Sequence, residues 1–499
     1  MKYFLGADIG GTMTKAVVFD QNGRDIAVFS APTPVVQPAE GFVERDMNLL
    51  WDITADVIRQ AVAKSGVAPD DIVAVGCTGH GKGLYPWGDG APAGNAIAST
   101  DSRAESIVRG WNADGTSAKA AELTLQPVLC SQPVALLRWL RDNNRAVYDA
   151  IRIVFEAKDY IRFRLTGEEY AELTDYSGTS MMNLRTAAFD PALFELFGIP
   201  EISGKLPPLR SSYDLCGRVT IDAAARTGLI AGTAVCGGMF DIDACAVAMD
   251  VTTPENLCVI SGTWSINEYI SKTPVTSQPT TLNSFFALPG YYLIEESSPT
   301  SAGNLEWVAE TVFGKEKAEA AASGTSVYDK INEMVASVDP AASNAAFIPF
   351  LYGTNCPGCD SAVLAGLSVY HTRAHIARAV FEGVVFSHMT HIDRLLKART
   401  APPAIRLAGG VTASPVWVQM FADAAGLPVE VVDVREIGAL GCAMAGAVAA
   451  GVYADYTDAA RHMVRVSGTY LPDMERNRIY RKKYERYSAL TAALAGLAT

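Results

Sequence analysis

The sequence has no apolar run near the roughly 20 uninterrupted residues that a membrane-spanning helix needs. Basic residues are also few, because 41 Lys and Arg stand against 54 Asp and Glu, a net charge of −13. An acidic surface disfavours nucleic acids and anionic membranes as partners. No basic region followed by an apolar one comes after Met1, so no secretion signal is expected. These absences predict a cytoplasmic protein that binds neither nucleic acid nor membrane.

The cysteines show no disulfide pattern, because the nine residues are odd in number and scattered along the chain. Free thiols in a reducing cytosol are therefore expected. Cys356 and Cys359 form a single C-x-x-C pair, without a second pair or a βαβ context. We interpret this pair as part of a plain loop rather than a zinc or redox site.

Several nucleotide and metal motifs are missing. The chain contains no G-x-x-x-x-G-K-[ST] loop, no protein-kinase H-R-D and D-F-G set, and no dinucleotide-binding glycine pattern. His371 and His375 have helical spacing, as do His388 and His391, but the glutamate of H-E-x-x-H is absent, so no histidine metal site is expected. Any phosphate site must therefore use another arrangement, and the 42 glycines can supply bare backbone for it.

A glycine-bearing turn between two strand-like segments occurs twice. The first spans residues 3–20 and the second residues 257–267, about 250 residues apart. Such a repeat predicts two halves of similar architecture, and a chain of 499 residues is long enough for two domains. Helical and buried-strand patterns alternate between the hairpins, which indicates an α/β fold. We place the boundary between residues 1–248 and 249–499.

The first turn combines the groups that a phosphate site needs. Glycine N–H groups can approach a phosphate without obstruction by a Cβ atom, while hydroxyls and an ammonium group add donors. Asp8 ends the first strand, where a carboxylate can hold Mg²⁺ directly or through water. A purely structural hairpin is the alternative for one turn, but two matching turns favour phosphate binding. The predicted cofactor-binding residues here are Asp8, Gly10, Gly11, Thr12, Thr14 and Lys15, with Asp8 as the metal ligand.

The second turn and a later one extend the predicted nucleotide site. Gly262 and Thr263 repeat the Gly-Thr pattern of the first turn. Gly409 and Gly410 follow a predicted strand, and Ser414 comes just before a predicted helix. A turn of this kind can pass close to the sugar or α-phosphate of a nucleotide, because a helix N-terminus favours negative charge.

Asp241 is the candidate catalytic base. It follows a strand that ends in two glycines and begins an apolar helix, shortly before the second Gly-Thr turn. Phosphoryl transfer to a hydroxyl needs a carboxylate that accepts the proton. Two alternatives stay open: Asp241 caps the helix, or Asp243 is the base instead.

Polar residues that can bind a polyol are concentrated in the first half. His80 and Lys82 follow a buried strand, and Asp101 and Arg103 lie in a second polar cluster. A sugar site needs such paired donors and acceptors. The predicted substrate-binding residues are these four and Asp241, although each cluster alone is also compatible with a solvated loop.

Two longer segments carry a family resemblance. Residues 362–382 resemble the second signature of the FGGY carbohydrate kinases without departure. Residues 131–143 resemble the first signature, except that Leu136 stands where that pattern has Lys. The resemblance covers nearly the whole chain. It implies two actin-like (ribonuclease H-like) ATPase domains with an interdomain cleft, and ATP and Mg²⁺ as cofactors.

The resemblance also implies roles for the two halves and their residues. Residues 1–248 would be the sugar-binding half, and residues 249–499 the nucleotide-binding half with a C-terminal helix. The implied sites are Asp8, Thr12 and Lys15 for the first phosphate site, Gly262 and Thr263 for the second, Gly409 and Gly410 for adenosine, and Asp241 as the base.

The implied substrate is a pentulose or related keto-sugar that is phosphorylated at a terminal hydroxyl. L-xylulose or 3-keto-L-gulonate is favoured, with D-xylulose or a polyol as the alternative. D-xylulose kinases carry a Met-His pair that aligns with Gly81 and Lys82, which disfavours D-xylulose and suggests that Lys82 binds a carboxylate. An actin-like ATPase without transfer and a sugar-binding regulator remain alternatives of another class. Assembly as a homodimer is left open.

Overall fold

A computed structural model of the protein describes residues 1–278, 280–354 and 361–496. Its strands are β1 Tyr3–Ile9, β2 Met13–Asp20, β3 Asp25–Pro32, β4 Glu44–Arg45, β5 Ile72–Gly79, β6 Tyr85–Trp87, β7 Ala96–Ile97, β8 Ile153–Phe155, β9 Ala171–Glu172, β10 Met182–Asn183, β11 Ala188–Phe189, β12 Leu209–Arg210, β13 Leu215–Arg218, β14 Ala234–Cys236, β15 Met239–Phe240, β16 Leu257–Ser261, β17 Ser265–Ser271, β18 Leu282–Phe285, β19 Tyr292–Ser298, β20 Ala346–Ile348, β21 Val363–Ala365, β22 Ile405–Ala408, β23 Val429–Val432 and β24 Val466–Tyr470.

Helices alternate with these strands along the chain, as the sequence predicts. The α-helices are α1 Met47–Ser65, α2 Glu105–Ala113, α3 Thr116–Thr124, α4 Pro133–Asn143, α5 Arg145–Ala150, α6 Ala157–Thr166, α7 Leu173–Ser177, α8 Pro191–Leu196, α9 Ile221–Thr227, α10 Asp241–Ala248, α11 Gly303–Thr311, α12 Gly314–Ser323, α13 Val327–Ala336, α14 Arg373–Leu395, α15 Pro415–Ala425, α16 Ile437–Ala449, α17 Tyr456–Met463 and α18 Met474–Ala495.

The chain forms two compact units, and each is built from more than one segment. Unit 1 comprises Met1–Thr252, Ile270–Ile294 and Val434–Val464, and unit 2 comprises the described residues of Thr253–Tyr269, Glu295–Asp433 and Arg465–Thr499.

The main sheet of unit 1 has the strand order β13-β14-β5-β1-β2-β3, with β15 also paired to β5. β1 and β2 form the predicted antiparallel hairpin, and Asp8 lies opposite Lys15. β5 runs parallel to β1, which places Thr78 beside Asp8. β15 continues parallel to the end of β5 and leads directly into α10. Asp8 therefore lies near the carboxyl end of β1, and Asp241 directly follows β15, a second strand that runs parallel to β5.

α16 packs closely against this sheet, as its Ala- and Gly-rich sequence predicts. A Cβ atom at Gly6 would collide with the carbonyl oxygen of Ala439, and one at Gly76 would collide with that of Cys442. The contact therefore needs glycine in β1 and β5. α1 packs against β2 and β3, and its buried Leu50, Trp51 and other apolar residues join the core of the unit.

The main sheet of unit 2 repeats the topology of unit 1. Its order, read from the corresponding edge, is β24-β23-β22-β16-β17-β19-β18, so that β18 is an additional edge strand. β16 and β17 form the second predicted hairpin, and β22 runs parallel to β16 as β5 does to β1. β24 is antiparallel to β23, as β13 is to β14. The duplication expected from the two Gly-Thr turns is thus a duplication of whole sheets.

The predicted helices are present with small changes of length. The sequence pattern predicts a helix over residues 373–389, and the observed helix α14 continues to Leu395. It also predicts a charged C-terminal helix from Arg476, and the observed helix α18 begins at Met474. In the described chain, no helix combines the length and the apolar composition needed to cross a bilayer. The seven cysteines among the described residues are free thiols. Cys356 and Cys359 lie outside the described residues.

Candidate active site

Buried hydroxyl and guanidinium groups contact the first Gly-Thr turn on its protein-facing side. Gly10 N–H donates to the carbonyl oxygen of Met13 at 3.1 Å and closes the turn. The Thr14 hydroxyl is buried and lies 3.0 Å from that of Thr33. The buried Arg45 donates to the Gly11 carbonyl at 2.8 Å.

The outer part of this turn is open to solvent. Gly11 and Thr12 are exposed, and a Cβ atom at Gly11 would meet nothing within 4 Å. The N–H groups at the tip are thus accessible, as a phosphate site requires.

Glu436 is a residue of this site that the sequence analysis missed. Its carboxylate lies 2.7 Å from the ammonium group of Lys15, directly before α16. The pKa of Asp8 is raised to about 6, because burial and the negative charge of Glu436 raise it by more than the positive charge of Lys15 lowers it. Gly438 lies close to the Asp8 carboxylate, because a Cβ atom at Gly438 would be 3.3 Å from Asp8 Oδ2. In the sequence, the ion pair between Glu436 and Lys15 is indicated only by an acidic residue that precedes the glycine-rich helix α16.

Asp241 is the first residue of α10, and Phe240 rather than Asp241 occupies the cap position. The Asp241 side chain is partly buried. Removal from bulk water raises its pKa well above the usual value; the negative charges of Asp8 and Asp175 raise it further, and Lys82 lowers it. Asp241 is therefore close enough to Asp8, Asp175 and Lys82 for their charges to change its pKa.

Asp243 has a different environment from Asp241. Its side chain is buried, and Oδ1 accepts a hydrogen bond from Ala287 N–H at 3.1 Å. Asp243 thereby holds the chain of Ala287 within unit 1, which distinguishes the two carboxylates that the sequence left as rivals.

A fully buried ionic network is connected through Thr174 to Phe240, the residue before Asp241. The Lys158 ammonium is 2.8 Å from Asp159 and 3.3 Å from both Glu172 and Asp175, and Arg162 pairs with Asp159. Removing one partner from such a network typically costs about 3–5 kcal/mol, because a buried charge is left uncompensated. The members of this network come from α6, β9 and α7, and the network was not predicted from the sequence.

The network also fixes the start of α10. Glu172 accepts a hydrogen bond from the Thr174 hydroxyl at 2.7 Å. The same hydroxyl oxygen accepts one from Phe240 N–H at 3.0 Å, immediately before Asp241. The buried charges therefore hold the backbone that carries Asp241.

His80 and Lys82 lie on the loop after β5. His80 Nε2 is 2.8 Å from the Tyr85 hydroxyl, and burial lowers the pKa of His80 to about 3, so the ring is neutral. Lys82 has φ of 64°, which is rare for a residue with a side chain. Its ammonium lies 5.8 Å from the centre of the Phe240 ring, next to Asp241 in the chain.

Asp101 and Arg103 bind mainly to each other and to the loop at residues 41–46. Arg103 Nε donates to Asp101 Oδ1 at 2.9 Å, and Nη2 lies 2.8 Å from Glu44. The guanidinium group is 4.2 Å from the centre of the Phe42 ring. Asp101 also accepts from Val43 N–H at 2.6 Å. The pair thus fixes this loop, and direct sugar binding by Asp101 and Arg103 stays a prediction.

Unit 2 contains a pocket of about 440 Å³ at its own Gly-Thr turn. Of the predicted nucleotide residues, Gly262, Thr263, Gly410 and Ser414 all line it. Gly409 does not line the pocket but packs against Ser261, the last residue of β16. Its φ is 94°, and a Cβ atom at this position would collide with the Ser261 carbonyl. The full lining is Gly262, Thr263, Ala302, Gly303, Leu305, Glu306, Ser326, Tyr328, Asp329, Asn332, Phe381, Gly410, Ala413, Ser414 and Trp417.

The pocket combines an aromatic wall with polar groups. Phe381 and Trp417 stack with their ring centres 4.0 Å apart. Ser414 caps α15 by accepting from Trp417 N–H at 3.2 Å, and its hydroxyl donates to Asn332 Oδ1 at 2.6 Å. A volume of several hundred cubic ångströms with few polar groups suits a small organic ligand.

Comparison with solved structures defines the class of protein. The chain matches a xylulose kinase from Rhodospirillum rubrum with a TM-score of 0.88 and 27% identity, over 100% of both chains. The two duplicated α/β units are accordingly two actin-like ATPase domains, as the sequence predicts.

Sequence comparison then gives the family. Residues 3–248 match the N-terminal domain of the FGGY family of carbohydrate kinases, and residues 257–450 match its C-terminal domain. An Escherichia coli L-xylulose/3-keto-L-gulonate kinase is 39% identical over 99% of this chain and 98% of its own. A probable L-xylulose kinase from Pasteurella multocida is 36% identical over 100% of both chains. This chain belongs to the FGGY family of carbohydrate kinases, and ATP is therefore its phosphoryl donor.

Proposed function

We propose that the protein phosphorylates a terminal hydroxyl of a pentulose or related keto-sugar, with L-xylulose or 3-keto-L-gulonate favoured. Support comes from the 39% identity, over nearly the full length, to the Escherichia coli L-xylulose/3-keto-L-gulonate kinase. The structural observation that carries the proposal is the position of Asp241 at the start of α10, directly after β15, which runs parallel to β5 as does the strand that contains Asp8.

In unit 2, ATP would bind with its adenosine in the 440 Å³ pocket, beside the aromatic wall of Phe381 and Trp417. Backbone N–H groups near Gly262 and Thr263 would then face the phosphates. In unit 1, the open tip at Gly11 and Thr12 offers the same kind of donors. That both turns bind the phosphates of one ATP stays a prediction from the duplicated sequence.

Asp241 would act as the general base. Its carboxylate takes the proton of the sugar hydroxyl while the hydroxyl oxygen forms a bond to the γ-phosphorus. The bond from that phosphorus to the bridging oxygen breaks, and ADP leaves with the electron pair. A raised pKa suits this task because it strengthens the carboxylate as a proton acceptor.

Mg²⁺ fits the first turn of unit 1. Asp8 is a partly buried carboxylate whose pKa is raised by burial and by Glu436, so a cation would relieve the crowding of negative charge. Mg²⁺ needs only one or two protein carboxylates together with phosphates and water. When bound, it would neutralise charge on the phosphates. Asp8 would hold it, while Glu436 fixes Lys15 beside it.

The sugar would bind in unit 1 near His80, Lys82 and Asp241, with Asp101 and Arg103 as further predicted contacts. Lys82 provides the cation that a keto-gulonate carboxylate needs, and its position over Phe240 brings it close to the base. A cytoplasmic location stays a prediction that fits the use of ATP. Assembly as a homodimer also stays a prediction.

The function is tested by measuring ADP release by the purified protein with ATP, Mg²⁺ and each of four acceptors: L-xylulose, 3-keto-L-gulonate, D-xylulose and a pentitol. We expect the highest kcat/KM with one of the first two and little ATP hydrolysis without sugar. A preference for D-xylulose or the pentitol would favour the alternative kinase activity. ATP turnover that no sugar stimulates would favour an ATPase without transfer, and sugar binding without ATP turnover a regulator.

The Lys82→Met variant tests the proposed carboxylate contact. We expect kcat/KM for 3-keto-L-gulonate to fall at least tenfold, because a hydrogen bond to a charged group contributes about 1.5–3 kcal/mol. The KM for ATP and the activity with neutral L-xylulose should change less. Lys119→Met, at an exposed lysine of α3, is the control and should leave both sugars unaffected. An unchanged ratio between the two sugars in Lys82→Met would contradict this role.

A further inference from the structure

His388 in α14 lies between residues that flank the second Gly-Thr turn. Its side chain is fully buried within unit 2. Nδ1 is 2.8 Å from Asn267 Oδ1 and 3.1 Å from Ser265 Oγ, and Nε2 is 2.8 Å from Ser301 Oγ. Both ring nitrogens are therefore used inside the protein, and none of these contacts follows from the sequence spacing.

The groups around His388 that can only donate or only accept determine the direction of these hydrogen bonds. The Asn267 amide nitrogen donates to the Glu296 carbonyl and to Ser265 Oγ, each at 3.2 Å, so the amide oxygen faces His388. An amide oxygen only accepts, so Nδ1 carries the proton. Burial lowers the pKa of His388 well below its usual value, which keeps the ring neutral. Nε2 therefore accepts from the Ser301 hydroxyl.

The same chain of hydrogen bonds reaches both sides of the turn. The Ser301 oxygen lies 2.8 Å from the hydroxyl of Ser261, the last residue before the turn. Ser265, the first residue after the turn, contacts Nδ1 directly. One imidazole thus connects both ends of the segment that contains Gly262 and Thr263.

Ser301 extends this connection to the N-terminus of α11. Ser301 lies two residues before Gly303, where α11 begins, and Gly303 N–H donates to the Gly262 carbonyl at 3.4 Å. Gly262, Thr263, Ala302 and Gly303 all line the 440 Å³ pocket. The position of His388 therefore sets the separation between the turn and the helix N-terminus, two adjacent walls of that pocket.

We propose that His388 is a positioning residue of the nucleotide site. Its neutral ring, with the proton on Nδ1, holds the Gly262–Thr263 turn and the α11 N-terminus in the arrangement that binds ATP phosphates. This inference rests on the proposed binding of ATP in the pocket. It requires that loss of the two ring nitrogens raise the KM for ATP more than the KM for the sugar.

The experiment compares His388→Phe with His388→Gln by steady-state kinetics with ATP and sugar varied separately. Phenylalanine keeps the ring but removes both nitrogens, whereas glutamine keeps an amide that can accept from Ser301. We expect the KM for ATP to rise at least tenfold in His388→Phe, with the KM for sugar within twofold of the parent. In His388→Gln we expect a smaller rise.

His391→Phe is the matched control. His391 is one turn further along α14 and equally buried, but Nε2 bonds to Ser298 Oγ at 3.1 Å rather than to a residue that flanks the turn. We expect a loss of melting temperature similar to that of His388→Phe, with an unchanged KM for ATP. An equal rise in the KM for ATP in both variants would overturn the proposal, because general destabilisation would then explain it.

Ser301→Ala provides a milder variant in case His388→Phe does not fold. It removes the hydroxyl that connects His388 to Ser261, and the KM for ATP should rise several-fold. An unchanged KM for ATP in this folded variant would also overturn the proposal. Failure of the proposed function would look different: the parent protein itself would show no melting-temperature increase with ATP and no sugar phosphorylation.

Discussion

At the scale of single residues, environment separates carboxylates that look alike in the sequence. Asp241 and Asp243 are two positions apart on one helical turn. The Asp241 side chain keeps some exposure and a raised pKa, whereas Asp243 is buried and accepts a hydrogen bond from Ala287. Motif and spacing selected Asp241 as the candidate base, but the backbone contact that gives Asp243 a structural task comes from a segment 44 residues away.

The Asp241→Asn variant tests the proposed base. An amide cannot accept the hydroxyl proton, and loss of a general base typically reduces the rate by about 10²–10⁴-fold. We expect kcat for sugar phosphorylation to fall within that range while the affinity for ATP, measured by calorimetry, largely persists.

Asp243→Asn serves as the comparison for this variant. It alters a buried structural contact, so we expect a lower melting temperature and a kcat within a few-fold of the parent. Normal turnover in Asp241→Asn, or an equal loss of kcat in both variants, would remove Asp241 from the role of base.

At the scale of elements, the two hairpins and several helices could be predicted, because hydrophobic period and glycine placement are local signals. α15 begins at Pro415 and ends at Ala425, the limits that the sequence indicates. The partners of those elements could not be predicted. Glu436 reaches Lys15 across 421 residues, and His388 reaches Ser265 across 123. Such contacts depend on how strands are ordered in a sheet, which local periodicity does not encode.

The turn after β22 gives a test at this scale. Gly409 has φ of 94° and no space for a Cβ atom, whereas a Cβ atom at its neighbour Gly410 would meet nothing within 4 Å. We expect Gly409→Ala to lower the free energy of unfolding by about 1–3 kcal/mol, the usual cost of a strained backbone conformation. Gly410→Ala should change it by less than about 0.5 kcal/mol. Urea denaturation of both variants measures the difference, and equal stabilities would contradict the strain argument.

At the scale of the whole molecule, unit 1 is not continuous in sequence. Two Gly-Thr turns predict the duplication, and six strands of each main sheet follow the same order. The sequence did not reveal that Val434–Val464, with α16 and α17, belongs to unit 1. No local feature marks this return, since an Ala- and Gly-rich helix suits either sheet.

Because unit 1 is built from separate segments, the behaviour of a fragment that lacks one of them can be predicted. Residues 1–248 alone lack α16, which covers the glycine-lined face of β1 and β5. We expect this fragment to be insoluble or to unfold without a cooperative transition, because apolar sheet surface is left in water. A longer fragment in which a glycine-serine linker joins residues 434–464 to residue 248 should unfold more cooperatively. Cooperative thermal unfolding of residues 1–248 alone, followed by circular dichroism, would contradict the expectation.

The late return of the chain to unit 1 has a consequence for biosynthesis. A ribosome must translate as far as Val464 before the last segment of the first unit exists. At about 5–20 residues per second, translation from the end of β5 at Gly79 to the end of α16 at Ala449 takes roughly 20–75 s, and the glycine-lined faces of β1 and β5 are uncovered during this time. The nascent polypeptide would therefore depend on molecular chaperones for most of its synthesis, and a premature stop codon near the 3′ end of the message would disable the half that was translated first.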